Sequence, residues 1–273
     1  MYKKHTPQRP DGFAKYRAKQ SQKSRPVYHP LPASKLRALR RNLFFVGATL
    51  GMVLAISLLS KAYAAGGSYV VDDGAINDPG QCNIDAWYTA NRHDGSTHNE
   101  TIAPACTPAG LPWLQWQAAV SRANADGHGE TQLSPQLKAQ VWAREDLGLE
   151  LAAEATAHVA FDRRHAYDGT DWNVPFTWQP VEPLRLNVNA GWSHAYNDGD
   201  QQHRATWGTG FEYAVADSLT LIGERYGTQG GDQAWQAGPR VHLGKNVDVD
   251  LVVGRSLIGD RHQWLATGAT VRF

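Results

Sequence analysis

The sequence predicts an all-β protein: a transmembrane antiparallel up-and-down β-barrel of about twelve strands, preceded by a helical signal segment. Apolar and polar residues alternate with a period of two from Cys82 onward. The connections between these segments fall into a short class and a longer, more polar class. A helical membrane bundle is excluded, because only one apolar run, near residues 43–60, approaches the length that spans a bilayer.

The N-terminal part of the chain differs from the rest in charge. The whole chain has a formal net charge of +1, but residues 1–41 carry 12 Lys+Arg and one acid. Residues 42–64 follow as an apolar run that ends in Ala62-Tyr63-Ala64, a small-residue cleavage pattern. We expect residues 42–64 to be a signal peptide cleaved between Ala64 and Ala65. The alternative is an uncleaved anchor helix.

Four regions follow from this pattern. Residues 1–41 are a basic extension, either an unusual addition to the signal or the product of a start site placed too early. Residues 42–64 are the signal peptide, and residues 65–81, rich in Gly and Asp, are a flexible periplasmic lead-in. Residues 82–273 are the barrel. Because the basic extension precedes the signal, it does not reach the mature protein, and no nucleic-acid partner is expected.

The clearest strand signal lies at residues 149–162. Every second residue from Leu149 to Phe161 is apolar, and the interleaved set contains Glu150 and Glu154. The many Ala and Glu residues favour a helix by propensity alone, which makes this the weakest strand by composition. The same alternation predicts a hairpin at about 82–92 and 98–106, and further strands around residues 114–121, 137–144, 172–178, 184–192, 205–213, 219–222, 237–243, 247–253 and 265–273.

The connections alternate in character along the chain. The short ones are residues 144–148, 179–183, 216–217 and 244–246. The longer ones are residues 123–132, 163–171, 197–203, 228–232 and 256–262. Short turns at one end and long loops at the other are typical of outer-membrane barrels, and an even strand count puts both ends of the barrel on the periplasmic side.

Aromatic residues within the apolar sets fit the girdles that such barrels place at the two membrane interfaces. Those with this pattern are Trp113, Trp116, Trp172, Trp178, Trp192, Trp207, Phe211, Tyr213 and Phe273. The alternative is a soluble β-domain whose core these rings fill.

The chain has two cysteines, Cys82 and Cys106. An exported protein with an even number of cysteines favours a disulfide over two free buried thiols. In a hairpin centred on residues 93–96 the two lie nearly opposite, so the bond would lock the first hairpin at the periplasmic rim. No CxxC occurs, and no metal site or other cofactor is expected.

The inward-facing set carries both signs of charge. Parity places seven acids and six bases there, including Asp85, Arg144 and Arg272, which predicts no strong ion preference. Twelve strands enclose a lumen between the filled interior of eight-stranded barrels and the open channel of 16–18 strands. The lumen is therefore either a small pore or a closed network of ion pairs. The candidate lumen residues are Lys138, Glu150, Glu154, Arg185, Arg204, Glu212, Glu224, Arg240, Asp248 and Asp250.

Catalytic and metal-binding patterns are weak in the sequence. Ser193 and His194 are adjacent, so in a strand they point to opposite faces. Glu150 and Glu154 lie about 13–14 Å apart in a strand, which is too far for a glycosidase pair. Neither a nucleophile elbow nor a zinc-protease motif is present after residue 64. Six histidines near the longer loops lack a recognised ligand spacing: His93, His98, His128, His165, His203 and His262.

Residues 208–273 resemble a known family. They contain GTGFEYAVADSLTLIGERYG, AGPRVHLGKNVDVDLVVGRSLIGD and QWLATGATVRF. These runs are similar to the final hairpins of the outer-membrane barrel family named for the meta pathway of phenol degradation. The lead-in VVDDGAINDPGQCNIDAW resembles the start of a cysteine-containing branch. The resemblance implies an outer-membrane barrel whose final strand, ending in Phe273, is recognised by the outer-membrane assembly machinery.

The sequence therefore predicts a non-enzymatic outer-membrane channel or transporter through which small solutes pass passively. A closed structural or surface-interaction barrel is the main alternative. A lipid-modifying enzyme and a soluble periplasmic β-domain held by an uncleaved anchor are two others. The expected partners are the lipid bilayer, the assembly machinery and small solutes.

Overall fold

The alternating segments form twelve β-strands in the computed structural model, which describes residues 67–92, 97–125, 128–162, 165–197, 200–259 and 261–273. A single turn of 3-10 helix, Glu145–Leu147, lies between two of them. The strands are β1 Cys82–Asn91, β2 His98–Cys106, β3 Leu114–Ala125, β4 His128–Arg144, β5 Leu149–Ala160, β6 Tyr167–Val181, β7 Leu184–Asn197, β8 Asp200–Ala216, β9 Leu219–Thr228, β10 Gln233–Leu243, β11 Val247–Ser256 and β12 Gln263–Arg272.

Each strand pairs antiparallel with its neighbours in sequence, and β1 pairs with β12 to close the barrel. In that closing pair Asp85 lies opposite Thr270. The predicted fold class, an up-and-down barrel of twelve strands, is confirmed. β5 is also a strand despite its Ala and Glu content, because β4 and β6 supply hydrogen-bond partners on both of its edges.

The two faces of the wall differ in polarity. Leu137, Val188, Leu251 and Val253 point outward and are about half exposed. Inward positions carry buried polar side chains such as Asn187. Exposed aromatic residues gather toward both ends of the outer surface. Near the short turns they are Trp113, Trp116, Trp142, Trp178 and Phe273; near the opposite end they are Tyr88, Trp172, Trp192 and Trp235.

The predicted parity fails at one position in β4. The register shifts between Gln140 and Trp142, so Val141 and Trp142 both face outward, 62% and 42% exposed. Arg144, predicted to face the lumen, instead lies at the end of β4. Its guanidinium donates to the carboxylate of Asp146 in the following turn, at 2.8 and 2.9 Å. A bulge inserts one residue and exchanges the faces beyond it, which the period of two does not reveal.

The longer connections are shorter than predicted. Residues 123–132 and 197–203 were expected to be loops, but β3 runs to Ala125 and β4 starts at His128, while β7 runs to Asn197 and β8 starts at Asp200. Polar residues continue the ladder beyond the apolar band, because pairing satisfies their backbone groups whatever the side chain. At the short-turn end, the connection over residues 107–113 is longer than its counterparts.

The chain divides into two units, Met1–Gly51 and Met52–Phe273, and every described residue belongs to the second. The predicted basic extension, signal peptide and cleavage site at Ala62, Ala64 and Ala65 lie outside the described residues. Within the described part of the chain, no helix has the length and apolar character needed to cross a membrane.

Candidate functional site: the barrel lumen

The segment that precedes β1 lies inside the barrel. Residues 67–80, called the plug below, enter from the end that carries the short turns. The plug reaches wall residues about halfway along the strands, such as Glu224 and Asn189. The structure therefore differs from the predicted flexible lead-in: wall side chains hold this segment in place.

Wall side chains bind the backbone of the plug. The Glu224 carboxylate accepts hydrogen bonds from the N–H groups of Val70 and Val71, at 2.7 and 3.0 Å. Further along, Asp72 N–H donates to Asn189 Oδ1 at 2.8 Å, and Gly74 N–H donates to Thr177 Oγ1 at 2.9 Å. These bonds replace the backbone partners that a segment outside any sheet lacks.

Two glycines allow the plug and wall to approach closely. A Cβ atom at Gly208 of β8 would lie 2.8 Å from Cγ2 of Val71, whose side chain is almost fully buried. A Cβ atom at Gly74 of the plug would lie 2.5 Å from the carbonyl oxygen of Glu150. A larger residue at either position would push the plug away from the wall.

A charged cluster joins the plug to β4, β5 and β7. The Lys138 Nζ atom lies 3.1 Å from Glu154, 3.4 Å from Asp73 and 3.6 Å from Asp72. Arg185 reaches Asp73 at 3.5 Å and Glu150 at 2.9 Å. The carboxylates in this cluster outnumber the bases. Burial, followed by the nearby Glu154 charge, raises the pKa of Asp72, whereas Lys138 acts in the opposite direction.

A second charged cluster lies on β10, β11 and β12. Arg240 donates two hydrogen bonds to the Asp250 carboxylate, at 2.7 and 2.9 Å, and its guanidinium lies 5.4 Å from the ring centroid of Tyr69. The Tyr69 hydroxyl donates to the Gly238 carbonyl, and burial followed by the Asp250 charge raises its pKa. Asp248 lies 2.6 Å from both His242 and Arg272. The paired geometry compensates the cost of burying these charges.

Two cavities adjoin the plug. One, of about 110 Å³, lies toward the short-turn end and is lined by polar groups including Asn77, Gln115 and Arg272. The other, of about 380 Å³, lies toward the long-loop end and is lined by Asp171, Asn173 and other wall residues. Asp72 lines both. The plug thus occupies the section of the lumen between two spaces that can hold water or small solutes.

Nine of the ten predicted lumen residues join these networks. The exception is Arg204, which is exposed near the long-loop end of the barrel and donates a hydrogen bond of 3.1 Å to the Gln202 side chain. Glu150 is partly exposed and paired with Arg185. The remaining eight are buried: Lys138, Glu154, Arg185, Glu212, Glu224, Arg240, Asp248 and Asp250.

Sequence reasoning missed the contribution of the plug and of the inward amides. Asp73 belongs to the first charged cluster and Tyr69 to the second. Asn189 binds the plug backbone. The side-chain amide of Asn187 donates a hydrogen bond of 2.8 Å to the buried Glu212 carboxylate. The amides at alternate positions of β7 were a visible signal of an interior that binds backbone, because an amide both donates and accepts.

The first and the last strand of the barrel are held together at the rim that carries the short turns. The predicted disulfide between Cys82 and Cys106 is present, and the two cysteines face each other across β1 and β2. Cys82 and Phe273 exchange two backbone hydrogen bonds of 2.9 Å. The Phe273 side chain is 66% exposed, on the outer surface.

A serine, a histidine and an aspartate form a chain of hydrogen bonds in the wall. Ser134 Oγ lies 2.9 Å from His158 Nδ1, and His158 Nε2 lies 2.9 Å from Asp171. The residue after Ser134 is Pro135, which has no N–H group. It cannot supply the oxyanion donor that hydrolases with a nucleophile elbow take from that position.

The adjacent Ser193 and His194 are not arranged like the Ser134, His158 and Asp171 network. Ser193 and His194 face opposite sides of the wall, as predicted: Ser193 lies near Asp171, while His194 stacks on His203 with 4.5 Å between ring centroids. His93 lies outside the described residues. In the described ranges, no group of three or more His, Cys, Asp or Glu side chains is placed to hold a metal ion.

Comparison with known proteins gives a family and a fold. The family model described as "Uncharacterised conserved protein UCP029691" matches residues 53–273. No curated protein sequence matches the chain.

Solved outer-membrane channels have a similar fold. The KdgM porin in complex with disordered oligogalacturonate is 11% identical, with a TM-score of 0.56 over 70% of this chain and 99% of that chain. The NanC porin is 8% identical, with a TM-score of 0.53 over 70% and 98%. The COG4313 outer membrane channel from Pseudomonas putida F1 is 10% identical, with a TM-score of 0.56 over 77% and 100%. The barrel therefore has the fold of outer-membrane channels.

Proposed function

Because the chain belongs to the family described as uncharacterised conserved protein UCP029691, whose description specifies no activity, we propose a function from the barrel itself. The protein is an outer-membrane channel for small polar solutes, and the plug restricts passage through it. One observation carries this proposal: a closed barrel with an apolar outer surface surrounds a polar, charged interior that contains solute-sized cavities. An interior of that kind suits water and hydrophilic solutes.

The proposal includes the location and route of the protein. The signal peptide of residues 42–64 is cleaved after Ala64, and the assembly machinery recognises the final strand at Phe273. The short turns then lie in the periplasm, so the plug blocks the periplasmic half of the lumen. The likeness to the meta-pathway barrel family stays a prediction.

We propose that the pore favours cations and neutral solutes over anions. The plug adds Asp73 to the lumen, while Arg144 lies outside it, which shifts the balance predicted from sequence toward negative charge. The KdgM structure contains an oligogalacturonate, an acidic sugar. The carboxylates on this lumen would repel such an anion. Ion selectivity measured from the reversal potential in a salt gradient tests this point.

Single-channel recording in planar bilayers tests the channel itself. The natural chain is compared with a deletion of residues 67–78, which leaves the disulfide and the Gly80 N–H to Thr107 carbonyl hydrogen bond in place. We expect discrete current steps that are rare in the natural chain and frequent in the deletion. A heat-treated sample is the control for current from unfolded protein.

A closed structural or surface-interaction barrel is the second candidate function, and the plug itself favours it, because the plug occupies the middle of the lumen. A deletion variant that keeps the heat-modifiable gel mobility of a folded barrel and yet carries no current would establish this alternative. Neither candidate uses catalysis. Among the described residues, the Ser134 network has the geometry nearest to that of an enzyme.

A further inference from the structure

Among the described residues, three arginines lie on the outer surface of β9, of β11 and directly after β1, near the end opposite the short turns. Arg225 of β9 and Arg255 of β11 are each the cross-strand neighbour of Trp235 on β10. Arg255 is also paired with Gln263 of β12, whose carbonyl oxygen accepts a 2.7 Å hydrogen bond from the N–H of Arg92. The three arginines, called the arginine row below, therefore follow one another at intervals of two strands, about 10 Å.

Among the residues that the structure describes, the arginine row has no acidic partner on its face. Alternation places only apolar or uncharged residues at the other outward positions of β9 to β12 and β1. Arg225 donates to the Gln233 side chain at 3.2 Å and lies 5.9 Å from the Trp207 ring. In the described part of the chain, no carboxylate forms an ion pair with Arg92, Arg225 or Arg255. Arginines in an apolar wall are costly unless an anion meets them at the membrane interface.

A groove adjoins two members of the row, Arg92 and Arg255. It encloses about 580 Å³ and is lined by Arg92, Arg255, Trp235 and the apolar side chains of Ala90, Val253 and Leu265. Val253 and Leu265 are about half exposed. The surface thus combines guanidinium groups at the membrane interface with an apolar groove that extends toward the hydrocarbon core. Arginine binds phosphate oxygens in a bidentate manner, and the apolar groove suits an acyl chain.

We propose that the arginine row binds the phosphorylated headgroup of an outer-leaflet glycolipid, with one acyl chain in the groove. This inference rests on the membrane location and orientation in the proposed function, but not on conduction. The face formed by β9 to β12 and β1 then holds a lipid that stays with the protein, whereas the remaining faces contact lipids that exchange with the bilayer.

Native mass spectrometry of the detergent-extracted full chain tests the proposal. Bis-phosphorylated lipid A is titrated in EDTA, so that divalent cations cannot bridge the phosphates. We expect bound lipid A on the natural chain and an apparent affinity at least about tenfold weaker for the variant Arg225→Gln/Arg255→Gln. Arg122→Gln is the matched control, because Arg122 also lies on the outer face but has the acidic Glu100 as its cross-strand neighbour.

Three results would overturn the inference: equal binding by the double variant, equal binding of dephosphorylated lipid A, or competition by inorganic pyrophosphate as strong as by lipid A. The last would indicate a site for free phosphate. Each variant is first checked for heat-modifiable mobility, and Arg255→Lys is added to separate folding from bidentate binding. A silent channel leaves this readout intact, and the loss of lipid binding leaves the channel proposal intact.

Discussion

Lys138 of β4 and Asp73 of the plug form an ion pair, with 3.4 Å between Nζ and Oδ1. Their side chains are only 6% and 2% exposed. The same ammonium group lies 3.1 Å from Glu154 on the neighbouring strand. One base therefore links the plug to the wall, and its loss would leave buried carboxylates without compensation.

Replacing this base should release the plug. Removing one partner of a buried ion pair costs about 3–5 kcal/mol, and the Lys138→Gln change places that cost on the docked plug, while the β-ladder of the wall remains. We expect current steps to become frequent in single-channel recordings of Lys138→Gln. Lys245→Gln, in the exposed turn between β10 and β11, is the control and should behave like the natural chain. Equal gating by both variants would show that this ion pair does not hold the plug.

A steric change on the wall should have the same result without altering charge. In Gly208→Val the new side chain collides with Val71, because Cβ alone would lie 2.8 Å from its Cγ2 atom. We expect the plug to be displaced and protease digestion to cut within residues 67–78, while the barrel keeps its heat-modifiable mobility. Gly110→Val, at a turn where a Cβ meets no atom within 4 Å, serves as the comparison. A plug that stays protected in Gly208→Val would contradict the close packing.

Alkaline pH should weaken docking of the plug. Asp72 faces Lys138 of β4, Glu154 of β5 and its neighbour Asp73, and its pKa is raised when docked. The docked plug therefore retains a proton that the free plug loses, so this contribution is complete below the ordinary pKa of 3.8 and declines as the pH rises through the raised value. We expect more frequent openings between about pH 5 and pH 9, and little change with pH in Asp72→Asn.

The size of this pH effect is limited by exposure. The Asp72 side chain is 36% exposed, so solvent screens the charges around it. The slope should stay well below the ~1.4 kcal/mol per pH unit that one fully linked proton gives. Openings that become rarer with rising pH would reverse the predicted sign and exclude Asp72 as the group responsible.

Reduction of the disulfide should destabilise the first hairpin. The cysteines are 24 residues apart in sequence, and closing a loop of that length in the unfolded chain contributes about 3 kcal/mol on the entropic model. We expect dithiothreitol to lower the guanidinium midpoint of the natural chain. The variant Cys82→Ser/Cys106→Ser should start at the lower midpoint and not respond to dithiothreitol. A midpoint that reduction leaves unchanged would show that the bond adds nothing to barrel stability.

Ser134 should not react as a nucleophile. Its hydrogen bond to His158 and the further bond to Asp171 form a three-residue network, but Pro135 provides no N–H donor next to the serine. We expect a fluorophosphonate probe to leave the folded protein unlabelled, with a serine hydrolase as the positive control. Labelling lost in both Ser134→Ala and His158→Ala would instead identify a hydrolase.

The wall of the barrel could be predicted well because its information is local. Alternation marks β5 and β11 within single segments, and the short connections between successive strands indicate their up-and-down order. The first hairpin was predicted within one residue of β1 Cys82–Asn91 and β2 His98–Cys106. Glu154 and Arg240 are buried inside the barrel, whereas Arg144 lies past the bulge at Gln140, where the period changes without a mark in the sequence.

The plug could not be predicted, because its structure depends on distant residues. Val70 and its partner Glu224 are 154 residues apart. The plug sequence has neither helical nor strand periodicity, and its Gly and Asp residues are those of a loop. Its conformation is set by the lumen side chains of several strands, so no window of the sequence contains the signal.

Closure of the barrel constrains the order of assembly. The plug precedes β1 in sequence, yet Gly67 lies beside Asp250 of β11 and Thr270 of β12, among the last residues to be synthesised. We expect these contacts to form after the C-terminal hairpin has joined β1, because that pairing brings the plug, which directly precedes β1, close to Asp250 and Thr270 and leaves only a short loop to close. An empty barrel should therefore precede the filled one. Refolding should show protection of the β1–β12 seam against hydrogen exchange before protection of the plug amides.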